Sequence, residues 1–589
     1  MNMGRTFTRR AILALPAAVL AGSSGLTLTR VLRADDLPPV DAAEMADGAA
    51  VFGRGEHRGT RVAGDGLLVA DQANASFTSP VRELRTRITH IGVHWRMAPR
   101  DAPPPDAWLQ YSVDGVTWSA WRQLPVETPP DGSPVGDYFA HLANTDGARF
   151  LRYRLVFPTG REGAVERVSA TLIDASGPPL SAASLPLIET MTPTRTPTTP
   201  APAPSPSPSV TTTRLPETVV IPGLTSDWPA PALGGASGYD VESGATLDVV
   251  SRPGWGADET LRFDANGDEI WREMFVPARL IAIHHTASRN SYGPGESVND
   301  VRAIYHYHAI GHGWGDIGYN ALIDKYGVIY EGRHGRGGDP GDPLPVRQVL
   351  SEGVSAGHAL RHNYGSAGVG LIGNSMAQGW DMFEAAGPRW NALVAYCAFE
   401  CRRGFIRPGQ PDGSPFVRDF LRSDNIWRPN APTVGGHIHY QETTCPGEPV
   451  IALLPALRRA IHERINGTSR TGVLLTSASP AALEVPLGTT IGASWAHEVP
   501  EPGWQLAGFE YRFEGWFKPE AHDDITYLAG YSAGSQPEAV WQSAPPSQRS
   551  ADFRPAARGQ YTLHVRAVVR QGDRFERAAY EAVRSWLIV

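Results

Sequence analysis

The chain has 589 residues, 41% of them apolar and 9% aromatic, with a formal net charge of −8. That length predicts several cores rather than one. So modest an acidic balance excludes the strongly basic surface that a nucleic-acid partner requires. Of the 53 basic residues, all but Lys325 and Lys518 are arginine, which reads as genomic bias rather than function.

Residues 1–34 read as an export signal. Arginines precede the short apolar run Ala11–Ala21, and small polar residues follow it. Thr8-Arg9-Arg10-Ala11-Ile12-Leu13 has the form of a twin-arginine signal. The run is too short to span a bilayer comfortably, and no other stretch is long and apolar enough. The expected location is outside the cell or on its wall, with no stable membrane span and a monomeric state.

Residues 36–180 alternate apolar with polar in Gly92–Arg96, Ala107–Val113 and Leu151–Phe157, and Asp114-Gly115 marks a hairpin. A β-sandwich accessory domain is predicted there. Residues 186–215, rich in Pro, Thr and Ser, cannot bury a core and form an extended linker. At about 3.1 Å per residue this linker reaches roughly 60 Å.

Residues 248–466 mix strands with helices and predict a mixed β-sheet flanked by helices. Arg279–Thr286 is an apolar strand ending in a histidine pair. Ser297 reads as an N-cap before a helix carrying Val301, Ile304, Tyr305 and His308. Ala321–Ile323 and Val328–Tyr330 read as a hairpin, and Val369–Ile372 as a strand. Trp390–Arg403 and Pro449–Ile465 read as helices. Residues 470–589 return to alternation, as in Glu510–Glu514 and Tyr561–Val569, and predict an immunoglobulin- or fibronectin-like β-sandwich.

Ten of the eighteen histidines lie between His284 and His439. His437 stands eight positions before Cys445, about 150 residues after His284. Two imidazoles and a thiolate suit Zn²⁺, and three protein ligands leave its fourth position open to water. No CxxC offers a closing fourth ligand. Cys397 and Cys401 are four apart on one helix, where a straight bridge is awkward, so buried thiols are favoured over a disulfide.

Motifs in order carry a family likeness: Arg279–Thr286, Gly313–Asp324 with Gly327–Arg333, Ala356-Gly357-His358-Ala359 followed by Asn363–Asn374, and Gly435–Pro446, behind the entry motif Arg252-Pro253-Gly254-Trp255-Gly256-Ala257. Together they resemble the peptidoglycan recognition proteins, which share a fold with zinc-dependent type 2 N-acetylmuramoyl-L-alanine amidases. The likeness covers roughly residues 248–466, under half the chain. It implies one zinc held by His284, His437 and Cys445, with His439 as the runner-up ligand in the second segment. It also implies Tyr319 as the catalytic tyrosine and Thr443 in support, and peptidoglycan or muropeptides as partner. Glu442 is a weak candidate base. His308, Trp314, Arg333 and His358 are expected to line the substrate groove, Arg333 by pairing with a stem-peptide carboxylate. His334 and His362 are expected on the surface or in the groove. Ala356-Gly357 inverts the family's usual Gly-Ala, which preserves two small residues. Because non-catalytic members lose the cysteine, the retained Cys445 implies an active hydrolase. The alternative is a protein that binds peptidoglycan without cutting it.

Overall fold

A computed structural model describes residues 37–177 except 128–135 and 160–162, then 238–239, 246–247 and 249–465 except 277, 336–348, 352, 381–386, 405, 411 and 425. It also describes 472–589 except 499, 501, 518–525, 530–540, 557 and 579–581. The export-signal and linker readings lie outside the described residues.

β-Sheets stand on both sides of the central region. The first contains the long strands β1 (Arg82–Ala98), β2 (Ala143–Phe157) and β3 (Ala164–Asp174), with β1 hydrogen-bonded between the other two. Along β2, Leu151, Tyr153, Leu155 and Phe157 point into a core, while Arg152 and Arg154 point outward. The guanidinium of Arg154 lies 4.2 Å from the ring centre of Trp121. Past residue 472, two further sheets include the antiparallel pair Gln505–Phe517 and Gly559–Gln571. In that pair, buried Glu510 accepts hydrogen bonds from Arg566 and Arg577.

The central sheet is built from β4 (Leu280–His285), β5 (Ala321–Ile323), β6 (Ile329–Glu331), β7 (Ser366–Leu371) and β8 (Val434–Gly436). Its order is β6-β5-β7-β4-β8, parallel except for the β5–β6 hairpin. Parallel strands are covered on both faces, and β4 and β7 are accordingly buried at every position. Side chains alternate along a strand. Ile281 and Ile283 therefore join Val369, Leu371 and Val434 against helices α2 (Pro388–Arg403) and α3 (Leu454–Ile465). Leu280, Ala282 and His284 face the other way. Burying each such Ile or Leu contributes about 1.5–3 kcal/mol.

On that other side lies helix α1 (Ser297–His306), continued by a wider turn at Tyr307–Gly311. Val298, Val301 and Tyr305 share a core with Leu322 and Tyr330 of the central sheet, with Ile173 of the first sheet and with Leu142 just before β2. The first sheet thus packs directly on the central domain.

Several expectations change. Ser297 is the first helical residue rather than the cap. Its hydroxyl donates to the Asp324 carboxylate at 2.6 Å, a stronger acceptor than a backbone amide is a partner. The helix expected at 449–465 is two, Glu448–Ile451 and α3. His334 and His362 are buried rather than superficial: His334 bonds Glu273 at 2.5 Å, and His362 stacks on Phe420. Cys397 and Cys401, by contrast, are the buried thiols expected, with no disulfide and with their thiol pKa values raised by burial.

Burial lowers the pKa values of His306 and His362 from 6.5 to about 4. The unfolded chain takes up these protons below pH 6.5 and the folded chain does not, so stability is full above pH 6.5. It falls towards pH 4 by on the order of 1 kcal/mol per pH unit for each histidine. Denaturant midpoints measured from about pH 7 to about pH 5 should fall, and less steeply in a His306→Gln/His362→Gln variant. Equal slopes in the two proteins would refute the assignment.

Candidate metal centre and pocket

β4 delivers two adjacent histidines to opposite faces of the sheet. His285 Nδ1 engages the Ser375 hydroxyl at 3.0 Å. His284 turns toward β8 and the segment that follows it. There His437 opens a short turn in which its carbonyl accepts from Tyr440 N–H at 2.9 Å. The Tyr440 hydroxyl ties the turn to β4 through the Ile281 carbonyl at 3.2 Å. Ile438 N–H donates to the Cys445 carbonyl at 2.9 Å, which brings the cysteine back beside His437. The Gly436 backbone must pass close to Pro446 and Ile451, since a Cβ there would lie 2.5 Å from Ile451 Cδ1.

The ligand atoms of His284, His437 and Cys445 all lie within 4.8 Å of one another, and all three residues are buried. Cys445 Sγ stands 3.8 Å from His284 Nδ1. That is close to the separation of neighbouring tetrahedral ligands with bonds of about 2.0–2.3 Å. Burial, followed by the neighbouring His437, His358 and His285, holds the His284 pKa well below 6.5, so its lone pair is available. This donor set fits zinc.

The other nitrogen of His284 is committed. Nε2 lies 3.1 Å from His358 Nδ1, and His358 Nε2 lies 3.3 Å from Ser366 Oγ. Ser366 Oγ donates to the His362 carbonyl at 2.5 Å, so it accepts from His358. His358 therefore carries its proton on Nε2 and accepts at Nδ1 the proton of His284 Nε2–H. Nδ1 of His284 is left unprotonated, facing Cys445. Gly368 on β7 makes the room, because a Cβ there would fall 2.2 Å from the His358 ring. Asn363 Oδ1 fixes the His358 loop by accepting from the backbone N–H groups of His358 and Ala359.

The pocket over these residues is lined by His284, His308, Tyr319, His358, His437, Thr443 and Cys445, joined by Gly357, Val126 and His141. The Tyr319 ring meets the His284 ring edge-on at 5.6 Å. His308 Nδ1 accepts from Gly318 N–H at 3.0 Å, which makes Nε2 the N–H end of that ring. Thr443 Oγ1 accepts from Cys445 N–H at 3.2 Å.

Residues 274–448 match the family model described as N-acetylmuramoyl-L-alanine amidase. The central domain belongs to the peptidoglycan recognition protein and type 2 amidase family. Peptidoglycan recognition protein 1 of Bos indicus is 33% identical over 85 residues, covering 14% of this chain and 40% of that protein. Peptidoglycan-recognition protein LB of Drosophila melanogaster is 26% identical over 237 residues, 40% of this chain and 77% of that protein. The N-acetylmuramoyl-L-alanine amidase of Homo sapiens is 27% identical over 194 residues, 30% of this chain and 24% of that protein. The solved structure of wild-type Drosophila PGRP-LB aligns with a TM-score of 0.25 at 22% identity, covering 36% of this chain and 95% of that one. This chain thus spans about 40% of the length of the first curated relatives it matches.

Within the family domain, two residues expected in the groove stand elsewhere. Arg333 is buried and donates to Asp316 at 2.6 Å while lying over the Trp271 ring. Asp316 also accepts from buried Arg252 at 2.7 Å. Burial alone would raise the Asp316 pKa, but Arg252, Arg333 and two backbone N–H groups outweigh it and keep the carboxylate ionised. So bonded, Arg333 braces the fold and has no reach to a stem peptide. Trp314 packs behind the pocket between His308 and His312. His439 bonds the backbone of Gly436, and Glu442 is exposed; neither lines the pocket. Ser366, Val126 and His141 were not singled out from the sequence. A serine and valine on strands and a histidine after one carry no spacing signal.

Removing His358 leaves His284 without the partner that fixes its tautomer. His358→Ala should weaken zinc binding by about 10–100-fold, read by chelator competition. Zinc affinity unchanged within about twofold would overturn this role.

Proposed function

We propose that the chain is an exported, bacterial, zinc-dependent N-acetylmuramoyl-L-alanine amidase. It hydrolyses the amide between N-acetylmuramic acid and L-alanine in peptidoglycan. The observation that carries the reading is a buried His284, His437, Cys445 cluster in the same pocket as Tyr319 and Thr443.

His284 Nδ1, a His437 ring nitrogen and Cys445 Sγ would hold one zinc. When bound, zinc lowers the pKa of its water and polarises the amide carbonyl. His358 and Ser366 keep the His284 lone pair directed at the site. Burial around the cluster excludes bulk water and strengthens each polar contact. The Tyr319 phenol and the His308 Nε2–H are the donors for the oxyanion that develops on the carbonyl. Thr443 fixes the His437–Cys445 turn by accepting from Cys445 N–H. Glu442, exposed and outside the pocket, takes no proton.

Around the catalytic domain at 248–466, we assign 36–180 and 470–589 as β-sandwich accessory domains. Residues 1–34 are the export signal and 186–215 the linker. Among the described residues no helix is long and apolar enough to cross a membrane.

Metal content and muropeptide digestion test the reading in wild type and Cys445→Ser. One zinc per chain and release of stem peptides in the wild type, both lost in the variant, are expected. Zinc-loaded wild type that binds muropeptides and releases no peptide would instead make this a recognition protein. Tyr319→Phe should keep its zinc and lose about 10²–10³ in kcat, since it removes one oxyanion donor.

A further inference from the structure

Two residues of the pocket come from outside the family domain. Val126 lies on a strand of the first β-sheet and His141 just after its strand Asp137–Ala140, yet both line the same pocket as His284, Tyr319, His437 and Cys445. The His141 and His285 rings stand 6.3 Å apart, edge to face.

His141 is held from both sides. Its own N–H donates to the Pro125 carbonyl at 2.9 Å. Before it, the Ala140 carbonyl accepts from the Tyr307 hydroxyl at 2.7 Å. After it, Leu142 is buried in the core shared with Val298, Val301 and Tyr305 of α1. More of the surface between the two domains is built rather than incidental. Gly92 on β1 lies flat on the Tyr307 ring, where a Cβ would fall 1.8 Å from a ring carbon. Buried His90 pairs with buried Asp300 at 3.3 Å, and Arg122 donates to the Ala287 carbonyl at 2.8 Å. Phe139 and His312 have ring centres 4.1 Å apart. An apolar, hydrogen-bonded contact of this kind keeps the two domains in one arrangement.

The consequence is a confined site. The cavity is about 20 Å³. That is room for about one water molecule, so only the group beside the metal ligands enters it and the rest of a ligand lies over its rim, where Val126 is exposed. Val126, an exposed apolar side chain, and the His141 imidazole form part of the lining that a ligand at the metal ligands meets.

We propose that the N-terminal β domain forms one wall of the amidase pocket, with Val126 and His141 as specificity-determining residues that admit a small muropeptide ahead of a long glycan strand. This rests on the reading of the site as one for peptidoglycan. Val126 meets the apolar face of the sugar or the lactyl methyl. His141 adds its imidazole to the pocket wall beside His285 and bars the bulk of neighbouring saccharides.

The test uses the zinc-loaded full chain with two probes, N-acetylmuramyl-tripeptide and an uncross-linked glycan strand bearing stem peptides. Binding is measured by calorimetry and kcat/KM by product release. Val126→Ala, His141→Ala and their combination should shift the ratio of affinities towards the long strand by about fivefold or more, with kcat/KM following. Val126→Trp, a rim substitution that adds bulk, should shift it the other way. Ratios unchanged within about twofold in variants that keep zinc would overturn the wall proposal. Shifted binding ratios without any product would uphold the wall and sink the amidase reading. Products with unshifted ratios would do the reverse, and neither binding nor products would sink both.

Discussion

The hydrogen bond between His284 Nε2 and His358 Nδ1 decides how the central site can work. An imidazole presents one lone pair, and its partner on the far nitrogen selects which one. Here the relay runs from the His362 carbonyl through Ser366 and His358 to His284, entirely inside the protein. Its members come from a loop and two neighbouring parallel strands, β4 and β7. The relay exists only because β4 pairs with β7 in a register that sets Ser366 beside Leu280 and leaves Gly368 open beneath the His358 ring. The site is therefore a property of the sheet, and the ligands cannot be separated from the strand pairing.

The rest of the domain keeps that sheet in place by two different means. On one face α2 and α3 bury an aliphatic core with the two unbridged cysteines in it. On the other, buried charge is paired beside the apolar core around α1. Asp316 holds Arg252 and Arg333, and Arg252 also donates to Glu259 and to the Gly332 carbonyl. A buried guanidinium is tolerated because nearly every donor is used, and removing its carboxylate would leave a charge out of water. This explains why an arginine in a family motif is structural here: the carboxylate it requires is already inside the protein.

The first β-sheet changes the picture of an amidase domain with optional appendages. It shares a core with α1, closes on the Tyr307 turn, and carries Val126 and His141 to the pocket. A domain attached in this way is part of the pocket wall and not only an appendage.

Much was legible in the residues themselves. Alternation exposed the long strands of the flanking sheets, and an apolar run ending in paired histidines exposed β4. The spacing of His437 and Cys445 made a soft ligand set readable, since ligand chemistry depends on residue type. The period of two along a strand decides that only one histidine of the 284–285 pair reaches the cluster. What the tertiary structure alone decided depends on contacts between distant segments. These are the tautomer of His284, the capture of the Ser297 hydroxyl by Asp324, the burial of Arg333 on Asp316, and the arrival of His141 from the link between two strands of another domain. Local sequence records the side chain and its neighbours in the chain. Which buried partner satisfies it is fixed only when remote strands close on one another, because a polar group leaving water must take whichever partner the fold supplies.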